Sequence, residues 1–271
     1  MPRTGPELLL RFPLNAQSLE TQERIADFLD RETQRIDGAL EAIDAIEALA
    51  GSRLESAISE ALESWPKTVP LKRLVDSRRP LTYGIVQAGE DCPGGVPYIR
   101  PTDMFGHSGV PDAEMLLRTS PEIAHSYRRS ILEPGDLVVS IGPSFGKTML
   151  VPSELEGANL TQGTARVAPA DGNSARFLRW VLRGRAARAH WEVSVGGATF
   201  RALNLEPLGL TPVPLVPLKN QLQIADRLDA AESAFMESGD KLRQLKSLLL
   251  ERRHSLISAA VTGQLDVEAM V

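Results

Sequence analysis

The hexapeptide "IADRLD" (residues 224–229) repeats, with one substitution, the phrase "IADFLD" (25–30) from the start of the chain. A gapless alignment anchored on these phrases extends in both directions. Gln22 aligns with Gln221, Arg53 with Arg252, and "AISEAL" (57–62) with "LISAAV" (256–261). The two copies are similar in sequence at both ends and differ in the middle. This pattern is typical of two copies of one element whose ends make specific contacts and whose middle needs only a length and an apolar stripe.

Both copies carry an apolar residue at every seventh position. In the second copy these are Leu228, Phe235, Leu242, Leu249 and Leu256, supported by Leu245 and Leu248. In the first they are Leu29, Ile36, Ile43, Ala50 and Ala57, supported by Ile25, Leu40, Ile46 and Leu54. The heptads predict two long spacer helices, 18–64 and 218–262, paired through a coiled-coil seam.

A helical bundle is the alternative to this pairing, but helices of such length exceed the usual range of a globular domain. A segment without heptads also separates the two copies. If that segment is compact, its ends lie close together and the helices run antiparallel. The predicted fold class is therefore α+β, a mixed α/β domain attached to a long antiparallel two-helix coiled coil.

The intervening segment, 65–211, is rich in proline and glycine. Short apolar runs predict strands at "YGIVQ" (83–87), "VPYIR" (96–100), "DLVVSI" (136–141), "KTMLVP" (147–152) and "TARVAP" (164–169). One helix is predicted over 172–190 with Ser174 as its N-cap, and a helical turn begins within 196–204. Spaced prolines predict an extended path from Leu205 onward, with 212–217 as the connector to the second helix. An N-terminal stub (1–17) and a C-terminal tail (263–271) complete the division.

Charge is distributed unevenly along the chain. The net charge is −5, yet residues 65–211 hold 17 Lys and Arg against 14 Asp and Glu. A weakly basic middle between acidic ends leaves DNA binding open. The single cysteine, Cys92, excludes an internal disulfide and a multi-cysteine metal site. No segment has the apolar length of a membrane span, so we expect a soluble cytoplasmic protein with no membrane contact.

Residues that resemble catalytic or cofactor-binding motifs do not have the spacing that those motifs require. "GPSFGKT" (142–148) follows a predicted strand, but only three residues separate its glycines, whereas a phosphate-binding P-loop requires four. The four histidines (107, 125, 190, 254) are scattered and form no zinc pattern. We therefore predict a chain that is not an enzyme and has no cofactor. A nucleotide-binding enzyme remains as the rival, to be tested by ATP binding with Lys147→Ala as the control.

Five segments resemble, in order, those of the DNA specificity subunit of type I restriction–modification systems. They are "YGIVQAGED…VPYIRPTDMF" (83–105), "LEPGDLVVSIGPSFGKTMLVP" (132–152), "GANLTQGTARVAP" (157–169), "GGATFRALNLEPLGLTPVPLVPLKNQLQIADRLD" (196–229) and "RRHSLISAAVTGQLD" (252–266). The resemblance implies a target-recognition domain on a helical spacer that binds double-stranded DNA. It also implies docking to methyltransferase subunits and, through them, to the restriction subunit, with neither activity in this chain.

One departure from that family concerns the number of recognition domains. The family usually carries two, whereas this chain shows one, and "MPRTGPELLLRFPLNAQ" (1–17) resembles at most the tail of another. The resemblance then implies recognition of one half-site. The alternative is a truncated remnant that binds methyltransferase without reading DNA. Self-association of two copies stays open.

Loops beside the family-like strands supply the candidate DNA-binding residues. They are Tyr83, Gln87, Arg100, Thr102, Ser144, Lys147, Thr161, Gln162 and Arg201. Gln162 could read adenine, Arg100 or Arg201 guanine, and Lys147 could hold a phosphate. The alternatives are structural: Tyr83 in the core, Thr161 and Gln162 capping a turn, and Arg201 covering the domain–helix junction. Arg176, Arg179, Arg183, Arg185 and Arg188 are expected on a solvated face, or on a phosphate-facing strip.

The repeated helix starts form the second candidate site. Ile25, Asp27, Phe28, Ile224, Asp226 and Arg227 are predicted to be exposed or partly exposed and to dock two methyltransferase subunits. The alternative is intramolecular packing, which is expected for Leu29 and Leu228.

Overall fold

The computed structural model describes residues 18–106, 108–195 and 202–264. The predicted N-terminal stub, Arg201, the start of the helical turn expected within 196–204, and the tail after residue 264 lie outside the described residues. The contacts divide the chain into two compact units. The helical unit is Met1–Arg53 with Ser233–Val271, and the mixed unit is Leu54–Glu232.

The helices, in chain order, are α1 (Leu19–Glu63), α2 (Pro121–Ser126), α3 (Ala175–Arg183), α4 (Arg185–Ser194), α5 (Leu205–Gly209) and α6 (Leu218–Val261). The strands are β1 (Thr68–Pro70), β2 (Thr82–Tyr83), β3 (Val96–Ile99), β4 (Arg118–Thr119), β5 (Leu137–Ser140), β6 (Thr148–Leu150), β7 (Asn159–Leu160), β8 (Thr164–Val167) and β9 (Pro212–Pro214). The two predicted long helices are thus found as α1 and α6, and each contributes residues to both units.

Within the helical unit, α1 and α6 run antiparallel. Lys246 Nζ lies 2.6 Å from Asp44 Oδ1, and Arg253 Nη1 lies 3.1 Å from Asp37 Oδ1, so rising numbers on one helix meet falling numbers on the other. The heptad residues Ile36 and Ile43 are buried. The antiparallel pair expected from the repeat is confirmed in this unit.

The apolar stripe of the helical unit is narrower than predicted. Ile46, Leu245 and Leu248 were expected to support the seam, but all three are exposed. They lie off the strict seven-residue series, and a two-helix pair buries only the residues that face its single partner.

A four-stranded antiparallel sheet, ordered β2-β8-β5-β6, divides the core of the mixed unit. Successive side chains of a strand point to opposite faces. Leu137, Val139 and Val167 therefore pack into one buried cluster with α3 and α4, whereas Val138 and Met149 pack into another. The sheet is covered on both faces, which is why β5 is apolar at consecutive positions.

Two smaller sheets complete the mixed unit. One has the order β4-β3-β7, with β3 and β7 parallel. The other pairs β1 with β9, and Thr68 lies opposite Pro214. This last pairing joins the segment after α1 to the segment before α6. The ends of the intervening segment therefore lie together, as the antiparallel arrangement required.

The structure corrects three local predictions. The helix predicted over 172–190 is two helices, because Gly184 adopts an extended ψ of 158° between α3 and α4. The path predicted as extended from Leu205 begins with α5, because Pro207 lies in its first turn, where no hydrogen bond is lost. The strand predicted over 83–87 is only β2, followed by an isolated bridge at Ile85.

The predicted N-cap is confirmed: Ser174 Oγ accepts from Phe177 N at 3.3 Å.

Candidate nucleic-acid interface

Four loops that are far apart in sequence meet around residues 161–163. Ile85 N donates to Leu160 O at 2.6 Å, and Gln162 N donates to Ile85 O at 2.9 Å. Thr161 N donates to Ile99 O at 3.2 Å, and Ile141 N donates to Gly163 O at 2.8 Å. We call residues 83–87, 99–103, 141–147 and 161–163 the loop cluster. It brings together eight of the nine predicted DNA-binding residues.

Two glycines allow the loops to approach each other, one against a neighbouring backbone and one against a proline ring. A Cβ on Gly84 would lie 1.9 Å from Leu160 O, and a Cβ on Gly163 would lie 2.8 Å from Pro101 Cγ. Both distances are shorter than real Cβ contacts. Glycine is therefore required at these positions by space, since neither residue has a positive φ.

Five candidate side chains of the loop cluster are exposed and have no hydrogen bond to any described residue. They are Tyr83, Gln87, Thr102, Ser144 and Gln162. Tyr83 is 47% exposed, so it is not a core residue. It lines an open cavity of about 500 Å³ together with Val86, Pro143 and Gln162. The side-chain amides of Gln87 and Gln162 each present a donor beside an acceptor, which is the chemistry that distinguishes adenine in the major groove.

Three other candidates already bond within the protein. Arg100 holds Asp103 through two nitrogens, with Nη2 2.6 Å from Oδ1 and Nε 3.0 Å from Oδ2. The hydrogen bond from Arg100 to Asp103 raises the pKa of Arg100. Thr161 Oγ1 donates to Ile99 O, and Lys147 Nζ donates to Pro101 O at 2.9 Å. Arg100 and Thr161 thus hold the loops in place, whereas the exposed Lys147 can turn to another oxygen.

The segment "GPSFGKT" is the turn of a β-hairpin. It joins β5 to β6, which pair antiparallel with Val139 opposite Thr148. A P-loop leads from a strand into a helix, so the hairpin does not have that geometry. In the described part of the chain no group of three His, Cys, Asp or Glu residues could hold a metal ion. No helix among those residues has the length and apolar character needed to cross a membrane.

A network of arginines and acids joins α3 to the start of α6. Arg176 Nε donates to Asp229 Oδ2 at 2.6 Å, and Trp180 Nε1 donates to Asp229 Oδ1 at 2.6 Å. Glu232 accepts from Arg179 at 3.0 Å and from Arg183 at 2.5 Å. We call these six residues the junction network.

Burial and charge define the role of the junction network. Trp180, Arg179 and Glu232 are buried. The guanidinium of Arg183 lies 4.6 Å from the centre of the Trp180 ring. Burial acts to raise the pKa of Glu232, but the hydrogen bonds from Arg179 and Arg183 outweigh it and the pKa lies below its ordinary value.

Sequence reasoning missed this network. It placed Arg176, Arg179 and Arg183 on a solvated or phosphate-facing surface, whereas all three pair with α6. Arg188 also forms an ion pair, with Glu55 at 3.5 Å. The available signal was spacing: Asp226, Asp229 and Glu232 recur every three residues, and Arg176, Arg179 and Arg183 are three and four residues apart, which places each set on one face of its helix.

The predicted docking residues differ between the two helix starts. Asp27 is exposed, Ile25 and Phe28 are half-buried, and Asp27 has no ion pair with a described residue. At the second start, Asp226 Oδ1 lies 2.9 Å from Arg176 Nη2, and Ile224 packs against the core of the mixed unit. Arg227 is exposed, 3.9 Å from Glu60.

Known proteins resemble this chain over most of its length. The family model described as type I restriction modification DNA specificity domain matches residues 85–246. The specificity subunit of the Escherichia coli type I restriction enzyme EcoBI is 26% identical over 211 residues, which cover 76% of this chain and 43% of that protein.

Two solved structures share the fold. One, from work on complex assembly and conformational transition of the type I R-M system, has a TM-score of 0.71 at 18% identity and covers 92% of this chain and 61% of its own. The HsdS subunit from Thermoanaerobacter tengcongensis has a TM-score of 0.56 at 17% identity, covering 98% and 64%. This chain spans less than two thirds of each of these relatives.

Proposed function

From the premise that this chain belongs to the type I restriction modification DNA specificity family, we propose that its mixed unit reads one half-site of double-stranded DNA. The observation that carries the proposal is the loop cluster. It gathers exposed amide, hydroxyl and ammonium groups on loops whose backbones are fixed to one another. Rigid presentation of such groups is what base reading requires.

Within this proposal the residues have different roles. Gln87 and Gln162 contact base edges, because an amide can pair with adenine through two hydrogen bonds. Tyr83, Thr102, Ser144 and Lys147 contact the sugar–phosphate backbone, where about half or more of protein–DNA hydrogen bonds go. Arg100 and Thr161 position the loops. The role of Arg201 as a guanine or phosphate contact rests on its sequence position alone.

The chain's contribution is recognition without catalysis. The relatives are named as specificity subunits, and modification and cleavage would lie in the methyltransferase and restriction subunits. One recognition domain is present in the described part of the chain, so the proposal extends to one half-site. Such a subunit would act in the cytoplasm, with the host DNA and its partner subunits.

Docking of methyltransferase subunits is proposed for the helical unit. The first helix start presents the exposed carboxylate of Asp27, which has no ion pair with a described residue, beside the half-buried side chains of Ile25 and Phe28. A separate group of exposed apolar side chains lies further along the two long helices, at Ile46, Leu49, Leu245 and Leu248, and is proposed as a second docking surface. At the second start, Ile224 packs against the core of the mixed unit and the exposed Asp226 pairs with Arg176, so Arg227 is the exposed charged group there with the weakest internal contact, 3.9 Å from Glu60.

DNA reading is tested by fluorescence anisotropy with duplexes, with and without the cognate methyltransferase. The target is first identified by sequencing methylated positions in the host genome. Gln162→Ala and Gln87→Ala should each weaken binding to that target by about 1–3 kcal/mol and reduce its preference over a duplex changed at one base. Gln223→Ala, an exposed amide of the same unit, is the matched control.

Two results would contradict the proposal. Equal affinity of the wild type and both variants for the target would remove these amides from the reading surface. If the wild type binds methyltransferase but no duplex under any condition, the chain is an interaction protein that does not read DNA.

Docking is tested by pull-down with the methyltransferase. Asp27→Arg and a Leu245→Ser/Leu248→Ser double variant should each reduce the captured amount, because one reverses a surface charge and the other removes exposed apolar groups. Asp240→Arg, also exposed on α6, is the control. Undiminished capture by both variants would place the docking surface elsewhere.

A further inference from the structure

A second cavity of the mixed unit is lined by arginines. It has a volume of about 710 Å³, Thr82 of the edge strand β2 is among its lining residues, and none of its lining residues belongs to the loop cluster. Five of its lining residues are Arg78, Arg79, Arg128, Arg129 and Arg166. We call it the arginine cavity.

Arg166 forms the innermost part of its wall. The residue is 4% exposed and lies on β8, opposite Thr82 of β2. Its Nη1 donates to Ile131 O at 3.1 Å and its Nη2 to Pro80 O at 3.3 Å. Its Nε is buried and has no hydrogen-bond partner in the described structure. No carboxylate of the described residues forms an ion pair with Arg166.

A buried guanidinium in this state carries a cost. Burial lowers the pKa of Arg166 and the nearby charge of Arg79 lowers it further, while the charges of Asp136, Glu133 and Asp76 offset only part of this effect. Two carbonyl groups satisfy part of its hydrogen bonding but supply no full negative charge. A bound anion would offset the cost, because buried charges are normally paired.

The other groups around the cavity leave an excess of positive charge. Arg79 pairs with Asp136 at 2.7 Å and with Glu133 at 3.0 Å, and Arg78 pairs with Asp76 at 3.3 Å. Arg128 and Arg129 are exposed and have no ion pair in the described part of the chain. Five arginines thus face three carboxylates.

We propose that the arginine cavity binds a phosphate group. A guanidinium presents its N–H donors in a planar fork that matches phosphate oxygens, and several of them can share one phosphate. The phosphate could belong to the backbone of duplex DNA or to a free phosphate compound. Thr82 lines this cavity and its neighbour Tyr83 lines the cavity of the loop cluster, so one edge strand borders both.

The duplex source rests on the proposed function, whereas the free-phosphate source does not. The test uses the full chain and an Arg128→Gln/Arg129→Gln variant, which changes exposed residues and leaves the buried pairs intact. The matched control is Arg73→Gln/Arg185→Gln, which removes two exposed arginines of the same unit that lie outside the cavity. Pyrophosphate binding is measured by calorimetry, and duplex binding is measured by anisotropy over a series of salt concentrations.

If the phosphate belongs to DNA, the cavity variant lowers the slope of log affinity against log salt by about 1–2 relative to the control. This loss would be the same for target and non-target duplexes. If it belongs to a free compound, the variant weakens pyrophosphate binding by roughly tenfold or more, as loss of charge-assisted hydrogen bonds does, and duplex binding is unchanged.

Either result supports the cavity as a phosphate site and identifies the source. If the wild type binds no duplex but the variant alone loses pyrophosphate, the proposed function fails while the cavity stands. Variant and control that are alike with both probes, or a wild type that binds neither probe, would overturn the inference.

Discussion

The two copies of one phrase lie in different surroundings. In "IADRLD" (224–229), Leu228 is buried, Asp226 pairs with Arg176, and Asp229 accepts hydrogen bonds from Arg176 and Trp180. In "IADFLD" (25–30), the equivalent Asp27 and Asp30 are exposed and form no ion pair with a described residue. The two aspartates are present in both copies, but α3 supplies partners to those of the second copy only.

The difference separates what a helix sequence specifies from what its partner decides. Both phrases form helix with their acids on one face, since residues three apart are neighbours on a helix. Whether that face is buried depends on arginines that lie far away in sequence. The first two predictions below change the second copy and use the first as the control, and the third tests the pH dependence of the second copy.

Loss of Glu232 should have the largest effect. Glu232→Ala removes the buried carboxylate that accepts from Arg179 and Arg183, and breaking such a pair costs about 3–5 kcal/mol of unfolding free energy. Trp65, Trp180 and Trp191 all lie in the mixed unit, so tryptophan fluorescence during urea unfolding reports on it.

The aligned position in the first copy is Thr33, whose hydroxyl donates to backbone carbonyl groups of its own helix, Leu29 O at 2.6 Å and Asp30 O at 3.3 Å. Thr33→Ala should change stability by no more than about 0.5 kcal/mol, measured by circular dichroism. A loss below about 1 kcal/mol for Glu232→Ala would show that the buried pair is not a net support of the junction.

The aspartates give an intermediate and more closely matched comparison. Asp229→Asn weakens the acceptor of Trp180 Nε1 and Arg176 Nε, both at 2.6 Å, and should cost about 1–3 kcal/mol. Asp30→Asn, the same substitution in the first copy, should fall within about 0.5 kcal/mol of the wild type. Equal urea midpoints for the two variants would mean that α3 does not distinguish the copies.

The smallest expected effect is the dependence on pH. The pKa of Glu232 is lowered by folding because Arg179 and Arg183 bond its charged form. A lowered pKa contributes stability above the ordinary pKa of the carboxyl group, and this contribution is lost as pH falls through the folded value. The urea midpoint of the mixed unit should therefore drop below about pH 4.5.

The control is Glu232→Gln, whose midpoint should depend less on pH across the same range. The aligned position in the first copy is Thr33, which does not titrate, so no equivalent contribution is expected from that copy. Parallel pH profiles for the wild type and Glu232→Gln would contradict the assignment of the shift to Glu232.

The long helices and most of the strands follow directly from sequence, and the physical reason is local. Positions of the seven-residue repeat such as Ile36 and Ile43 indicate which face of a helix is buried. A run of consecutive apolar residues such as Leu137 to Val139 indicates that both faces of a strand are covered. The N-cap at Ser174 also follows from one residue type at one position.

What sequence reasoning missed depends on distant contacts. The sequence on both sides of Gly184 is typical of helix, so one continuous helix was predicted. The contact between Gly184 and Leu62, which lies far away in sequence, could not be seen from the sequence. The loops of the candidate site were identified by resemblance. That Arg100 is held by Asp103 while Gln162 is free required the folded geometry. Ile46 and Leu248 look like seam residues until the number of helices in contact is known.

The loop cluster is fixed by backbone hydrogen bonds, with glycine at its two closest approaches. The side chains of Gln87, Thr102, Ser144 and Gln162 take no part in these hydrogen bonds, so substitutions there are expected to leave the mixed unit folded. If Gln87 and Gln162 read bases as proposed, point mutations at these two positions would change the target sequence while the backbone that holds the loops keeps its structure.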